Sequence, residues 1–562
     1  MNIKKLLILS LIILILAGAV FMFLSVNKDI TAEESDFVLA SRAIVQTNAP
    51  VYYQSEQNPV SIALWHPPMY IYTLSLIMKF SQSEIAIRSL NVIFSIFTSI
   101  VIFLFCLRIN KKNGKLIGLV SSALFLINYY VISSSSLIDI DNFSMFFVFS
   151  FVYLVYSYLE TKKKVYLVLG SFLFLCSLGN RYPIAILVFL GILVYLLFNK
   201  NLRAFASNYF LSGLFGGLAF LIIWAYYSIF IEPGSFFSFI THNAALGAQQ
   251  FSNLSLYFSS FLLNLSQITR LFTLPVVILF FVSIIHFFKR KETYLRILLI
   301  YTLTIFLFFI VVPRPAFGYP RYFLTIMPGL FILISLCIYE NLSRNAKAIR
   351  LKDILFAGII FFSCLALLIY LNPQGTFYRN DGLIKATNLP DLAYNLLSIS
   401  PVFLGLIFNK KSRKIVLILF LLAALLAFSF YFDLKFSMND SKIKEVGEYL
   451  KNNTAPSDII IAPKAVAYYA ERKVYANDFN KPPLDKISVQ FIKDYIIMSY
   501  RDRKMESRFF LGEDVYAGLY YVNYTSTDEN VFKAKYMVLN YKIDNLLLEK
   551  KTGDYYIYRM QN

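Results

Sequence analysis

The sequence predicts a polytopic α-helical membrane protein of about thirteen spans, followed by a small C-terminal α/β domain. Three observations predict it. Hydrophobic residues make up 58% of the 562, and the mean hydropathy is +0.61. The few polar residues left cannot cover a soluble core of that size. The apolar residues gather in runs, most of them of membrane-spanning length. The 53 Lys and Arg outnumber the 33 Asp and Glu, giving a net charge of +20. They sit in short connectors between apolar runs, which is the mark of a positive-inside topology and not of a nucleic-acid-binding face.

Taken in order, Met1–Lys5 carries two lysines and residues 6–26 are apolar. That run is longer than the apolar core of a cleaved signal, so it reads as a retained span with a cytoplasmic N-terminus. Residues 67–81 are too short to span and open on Pro67-Pro68, a helix start, so a surface-lying or half-inserted helix is expected. Spans then follow at 89–107, 116–132, 143–159, 165–178, 184–198, 209–231, 271–288, 297–312, 322–339, 354–371, 397–408 and 415–433. A break at Gly179–Pro183 separates the fourth and fifth of these. Every second span ends in a basic connector, such as Lys162-Lys163-Lys164 or Lys289-Arg290-Lys291. The alternation places 27–66, 232–270 and 372–396 on one extracytoplasmic face, together with Asp139, Asp141, Arg181 and the Arg314–Arg321 segment. Cys106, Cys176, Cys337 and Cys364 all lie in apolar runs and read as small core residues.

Residues 437–562 read as an extracytoplasmic α/β domain, separate from a transmembrane region 1–436. Ser441–Leu450 has helical spacing and Asp458–Ala462 reads as a buried strand. Pro463–Arg472 is expected as a helix, Lys473–Ala476 as a strand, and Leu546–Tyr558 as a hairpin turning at Thr-Gly-Asp.

The candidate chemistry starts at Thr31–Ile44, which puts Glu33, Glu34 and Asp36 beside the first span of an otherwise basic chain. Glycosyl transfer needs a base for the acceptor's proton and cations for the charge growing on a departing phosphate. These acids suit the first role. They equally suit the first turn of a helix capped by Thr31. Asp139 and Asp141 stand where a span begins, so they serve either a shared site or a cap. Arg181 lies at membrane depth between two apolar runs, where a cation is functional or snorkels to headgroups. Arg314 and Arg321 break the positive-inside trend and suit bidentate phosphate binding. Arg88 follows Glu84 by four residues, so a local ion pair is its plainer reading. His66 either donates to a phosphate or caps the helix at Pro67. His242 and His286 carry no supporting pattern. No spacing of His, Cys, Asp and Glu supports a metal cage; no cofactor is firmly predicted, and a divalent metal stays open without ligand spacing behind it.

In their order these pieces resemble the GT-C membrane glycosyltransferases of family 39, which include the protein O-mannosyltransferases and the lipid A aminoarabinose transferases. The family's first outer loop often reads Asp-Glu-x-x-Tyr-Ala-x-x-x-Arg, where this chain has Glu33-Glu34-Ser-Asp36-Phe37-Val38-Leu-Ala-Ser-Arg42. A Lys-Pro-Pro-Leu-Tyr-like patch is similar to His66-Pro67-Pro68-Met69-Tyr70, and a Gly-x-x-Glu-x-x-x-Arg-like helix start to Ser83–Arg88. An acid at the start of the fourth span (Asp141 or Asp139), the Arg181-Tyr182-Pro183 break, and Arg321-Tyr322 before Pro328 complete the series. The Trp-Trp-Asp-Tyr-Gly motif of oligosaccharyltransferases is absent; the only tryptophans are Trp65 and Trp224.

The resemblance implies a multi-pass cell-membrane enzyme with a polyprenyl-phosphate-linked sugar as donor, inverting transfer, and a protein, lipid or glycan acceptor. It implies Glu33 or Glu34 as the base, where the family has Asp at the first position, and Arg181, Arg321, Arg88 and His66 on the donor phosphate. Asp36, Asp139, Asp141, Tyr70 and Tyr322 would support them. A transporter or flippase for a lipid-linked glycan is the alternative of a different class, and a membrane-anchored sensor a third.

Overall fold

The computed structural model describes residues 3–26, 29–30, 32–48, 51–53, 59–61, 67–231, 261, 274–311, 320–343, 376–379, 382–385, 443–455, 459–462, 464–471, 473–476, 536–539, 548–552 and 555–559. The chain forms two compact units that do not follow its linear order. One comprises 1–26, 66–70 and 88–436; the other comprises 27–65, 71–87 and 437–562.

The described residues of the first unit are helical, apart from a short hairpin pairing Thr376–Arg379 with Gly382–Lys385. Its helices are α1 (Ile3–Leu24), the start of α3 (Met69–Phe80), most of α4 (Glu84–Ile109), α5 (Gly114–Leu126), α6 (Tyr129–Ser135), α7 (Ile140–Thr161), α8 (Val165–Phe198), α9 (Arg203–Tyr226), α10 (Leu274–Phe288), α11 (Thr293–Val311) and α12 (Met327–Ser343). Among the described residues, six helices are long and apolar enough to cross a membrane. Spans expected at 354–371, 397–408 and 415–433 lie outside the described residues.

α7 is the centre of this unit. Its side chains are buried from Ile140 to Leu159 almost without interruption, as expected of a helix that is apolar on all sides. Phe143, Phe146 and Phe147 meet Phe94 of α4 edge-on or tilted, with centroids 4.5–5.7 Å apart. At its end the chain turns through Lys162, which adopts φ 62°, the left-handed conformation that closes many helices. The Lys162 amine donates to the Leu159 carbonyl and lies 3.6 Å from the Phe205 ring centroid. Burial lowers its pKa below the ordinary lysine value.

Two expectations are refined. The expected span 116–132 is broken, because Asn128 interrupts it. α5 ends at Leu126, and the Asn128 side chain accepts from the Val131 N–H at 3.3 Å as the cap of α6. The break expected over Gly179–Pro183 narrows to one residue. Within α8 only Arg181 has non-helical angles, φ −141° and ψ 70°. The two sides of it nevertheless fold back on each other, since the Phe174 and Phe189 rings lie 5.0 Å apart. In a straight helix fifteen residues would separate them by about 22 Å. α8 is therefore a helical hairpin with Arg181 at its bend, and each arm is about 24–26 Å long.

α9 packs against both arms. The Tyr209 hydroxyl donates to the Phe189 carbonyl, Ser212 Oγ donates to the Leu167 carbonyl, and Ser171 and Ser212 hydroxyls meet at 2.7 Å. Glycine permits the approach: a Cβ on Gly216 would come within 2.7 Å of the Ser171 carbonyl oxygen, which is backbone and cannot move aside.

The second unit contains α2 (Ala32–Thr47), the remainder of α3, and the strands β1 (Val51–Tyr53) and β2 (Pro59–Ser61) paired antiparallel. The stretch read as a first loop is thus largely helix and hairpin. The unit also holds α13 (Ile443–Asn453), α14 (Lys464–Ala470) and a five-stranded mixed sheet. Numbering the 376–379 and 382–385 strands β3 and β4, the sheet is built from β5 (Ile459–Ala462), β6 (Lys473–Ala476), β7 (Tyr536–Leu539), β8 (Leu548–Thr552) and β9 (Tyr555–Arg559), in the order β6-β5-β7-β9-β8. β5 runs parallel to β6 and β7, and β9 antiparallel to β7 and β8. α14 is the crossover that a parallel β5–β6 pair requires.

Gly216→Ala will lower the thermal unfolding temperature of the detergent-solubilised protein, since overpacking at a backbone contact costs about 1–3 kcal/mol. An unchanged transition would mean that α9 is not seated on α8 as described.

Candidate active site

The N-terminus of α7 gathers the polar chemistry of the helical unit. α4, α6 and the bend of α8 all converge on residues 133–142. Asp139 caps α7: its side chain accepts from the Ile140 N–H at 2.6 Å. Of the two acids at this boundary, then, Asp139 takes the capping role. Asp141, in the first turn, is fully buried and paired with Arg181, whose side chain is itself only 9% exposed. Arg181 Nη1 donates to Asp141 Oδ1. The pair joins the hairpin bend to the positive end of the α7 dipole, where a carboxylate is doubly favoured.

The turn before α7 is held from the side by α4. Arg88, 1% exposed, donates from Nη1 to the Ser136 carbonyl at 2.6 Å. Asn91, one turn further, donates from Nδ2 to the carbonyls of Leu137 and Asp139 at 2.6 and 2.7 Å. Ser95 meets Ser135 at 2.7 Å, and Asn142 donates to Ser134 Oγ at 3.0 Å. Among the described residues, the amide oxygens of Asn91, Asn142 and Asn180 are buried here with no hydrogen-bond donor. Tyr70 is buried and packs edge-on against Phe143, centroids 5.5 Å apart. Met69 lies against Gly179 and Asn180, beside the bend.

Five of the expected residues are thus brought together: Asp139, Asp141, Arg181, Arg88 and Tyr70. Arg88 has a role that its i+4 spacing from Glu84 did not foretell. It supports a turn through a backbone carbonyl, while Glu84 pairs with Lys444 at 3.2 Å within the other unit. Asn91, Asn142 and Ser134 were not singled out from sequence. Asn91 had a signal, because it follows Arg88 by three residues on one helix face.

The acids of the first stretch belong to the second unit. Glu33, Glu34 and Asp36 stand in the first two turns of α2, in keeping with a helix that begins at Ala32. Glu34 is 2% exposed. The side chains of Glu33 and Asp36 lie outside the described residues, as does His66. Arg321 and Tyr322 fall in the 3₁₀ turn Pro320–Ile326 that leads into α12, with side chains likewise outside them. Arg314 also lies outside.

α2 is anchored by the C-terminal segment. Arg42 stacks on the Tyr468 ring, 3.9 Å from its centroid, and donates from Nη1 to the Tyr468 carbonyl at 2.8 Å. Burial pushes the phenols of Tyr468 and Tyr469 above the ordinary tyrosine value, so both stay neutral. Among the described residues no group of His, Cys, Asp and Glu gathers as metal ligands do.

A family model described as dolichyl-phosphate-mannose-protein mannosyltransferase matches residues 65–227, the segment that contains the whole cluster around Asp141 and Arg181. Comparison of the sequence with curated proteins found no match. Among solved structures, the chain is similar to ArnT from Cupriavidus metallidurans bound to undecaprenyl phosphate, with a TM-score of 0.55 at 12% identity, covering 82% of this chain and 85% of that one. The apo form of the same protein matches with a TM-score of 0.53 at 13% identity, covering 82% and 84%. With its apolar helices and that likeness, the chain is a multi-pass membrane protein of the GT-C fold, akin to the protein O-mannosyltransferases and to ArnT.

Proposed function

We propose that the protein is an inverting glycosyltransferase that moves a sugar from a polyprenyl-phosphate donor to an acceptor hydroxyl at the extracytoplasmic membrane face. The observation that carries this reading is where the family match falls. Residues 65–227 resemble a mannosyltransferase family that uses a lipid-phosphate sugar by its description. The same segment builds the buried Arg181–Asp141 pair. One of the solved neighbours is ArnT bound to undecaprenyl phosphate.

In this reading Asp141 holds Arg181 in place at the bend, and the guanidinium, whose planar fork matches a phosphate, meets the donor phosphate. Arg321 and His66 complete the phosphate contacts. Arg88 serves the same site at one remove, by fixing the turn that carries Asp139 and Asp141. Glu33 takes the acceptor proton as its oxygen attacks the anomeric carbon, and the phosphate leaves from the opposite side. Glu34, enclosed in its own unit, is the second candidate for that base. The buried amide oxygens of Asn91, Asn142 and Asn180 suit sugar hydroxyls, which donate.

The deciding experiment incubates purified protein with a panel of prenyl-phosphate sugars and identifies any glycosylated product by mass spectrometry. Glu33→Gln will lower turnover at least a hundredfold while donor binding changes less than threefold; full activity in that variant removes Glu33 from the role and turns attention to Glu34→Gln.

The ion pair makes a separate prediction. Asp141→Asn removes the carboxylate that faces a buried guanidinium and will cost about 3–5 kcal/mol in unfolding free energy. The double variant Asp141→Asn/Arg181→Gln will recover part of that stability without recovering transfer. Equal losses from the single and double variants, measured by denaturant unfolding, would show that the two side chains do not depend on each other.

A further inference from the structure

The acids of α2 are flanked on both sides by residues that the C-terminal segment holds, all within the second unit. Before the acids, the Asp29 side chain accepts from the Lys444 N–H at 3.0 Å, in the first turn of α13, and the Ile30 N–H donates to the Tyr469 hydroxyl at 2.9 Å. After them, Arg42 is fixed by the ring and the carbonyl of Tyr468. The Tyr468 hydroxyl also donates to the Gln82 carbonyl at 3.0 Å, in the turn between α3 and α4. Lys444 pairs with Glu84 two residues further on. Burial opposes the charge on Lys444, but the carboxylates of Glu84, Glu448 and Asp29 together outweigh it and the pKa rises.

These contacts are more than general packing. Ile30 and Arg42 bracket residues 33–36, so restraints at both points limit how far the helix can slide or rotate. A guanidinium stacked on a ring and also hydrogen-bonded has few remaining orientations. Catalysis by a carboxylate depends on holding it within a fraction of an ångström of its target. Tyr468 and Tyr469 are adjacent residues of α14, itself packed as the crossover between β5 and β6, so they form a rigid reference.

We propose that the Tyr468–Tyr469 pair is a positioning element for the acidic helix, setting the reach of the Glu33–Glu34 carboxylates through Ile30 and Arg42. This rests on the reading of those acids as the base given above. It assigns the α/β segment a part in the reaction without any contact to substrate.

The test uses the full-length protein with Tyr468→Leu, Tyr468→Phe and Arg42→Leu. Hydrogen exchange is read by mass spectrometry, and transfer kinetics are measured with the best donor found. Exchange over residues 30–47 is expected to rise at least tenfold in Tyr468→Leu and Arg42→Leu, with residues 140–161 unchanged. Turnover should fall at least tenfold with the donor KM within twofold. Tyr468→Phe keeps the ring and the carbonyl and should restore both readouts to near wild type. In a Glu33→Gln/Glu34→Gln background, Tyr468→Leu should cause no further loss of turnover.

Unmoved exchange over 30–47, or full turnover in Tyr468→Leu, overturns the proposal. A further loss in the acid-free background does so too, because the tyrosine would then act by another route. Full turnover in Glu33→Gln/Glu34→Gln instead refutes the base assignment, and with it the link from clamp to catalysis. In that case the exchange result still decides whether the clamp exists.

Discussion

The helical unit depends on one charge pair placed where charges are hardest to place. Asp141 is fully buried and Arg181 nearly so, in a polar cluster set within a bundle whose core is mainly aromatic and aliphatic. Neither ion is tolerable there alone, because the desolvation of each exceeds what an apolar neighbour returns. Together they explain several features at once. Arg181 can sit at the α8 bend, where helical hydrogen bonding lapses, because its side chain has a fixed partner one helix away. Asp141 can sit inside α7 because it meets both a guanidinium and the positive end of that helix. The turn before α7 in turn needs the grip of Arg88 and Asn91, since its carbonyls are buried and require donors.

Much of the helical unit was legible from the chain. Apolar runs bounded by basic connectors located α1, α4, α7, α10 and α11 to within a few residues, because lipid imposes length and polarity on a span more strictly than any packing preference does. The Gly179–Pro183 break was equally plain, though sequence could not show that a single residue makes the bend. Asn128 was overlooked for a related reason. One polar residue does not disturb a hydropathy run, yet its side chain can end one helix and cap the next. In the second unit, β7 is a run of four residues with only Asn540 beside it as a turn marker, and its place in the sheet comes from its partners β5 and β9.

The site was legible in kind more than in role. Asp139, Asp141 and Arg181 stood out as ionisable groups at membrane depth, and the structure separates a capping acid from a paired one. Sequence spacing suggested Glu84 as the partner of Arg88. Local pairs are easily read, whereas the Ser136 carbonyl, 48 residues away, is not. Asn91 shows the same limit: its spacing from Arg88 marks a shared helix face, but not the two carbonyls of a distant turn that its amide bridges. Arg42 belonged to the acidic stretch by position alone, and its attachment to Tyr468 depends on a chain separation of 426 residues.

That separation has a consequence for how the molecule is made. The chain leaves the ribosome from its N-terminus, so α1 and α2 exist long before α13 and α14. At about 5–20 residues per second, on the order of 20–90 s pass between the emergence of Arg42 and that of Tyr468. Through most of that interval the acidic segment has none of its C-terminal anchors, the first of which, Lys444, emerges shortly before Tyr468. A product that stalls before Tyr468 would carry the acidic helix without the ring and carbonyl that fix Arg42.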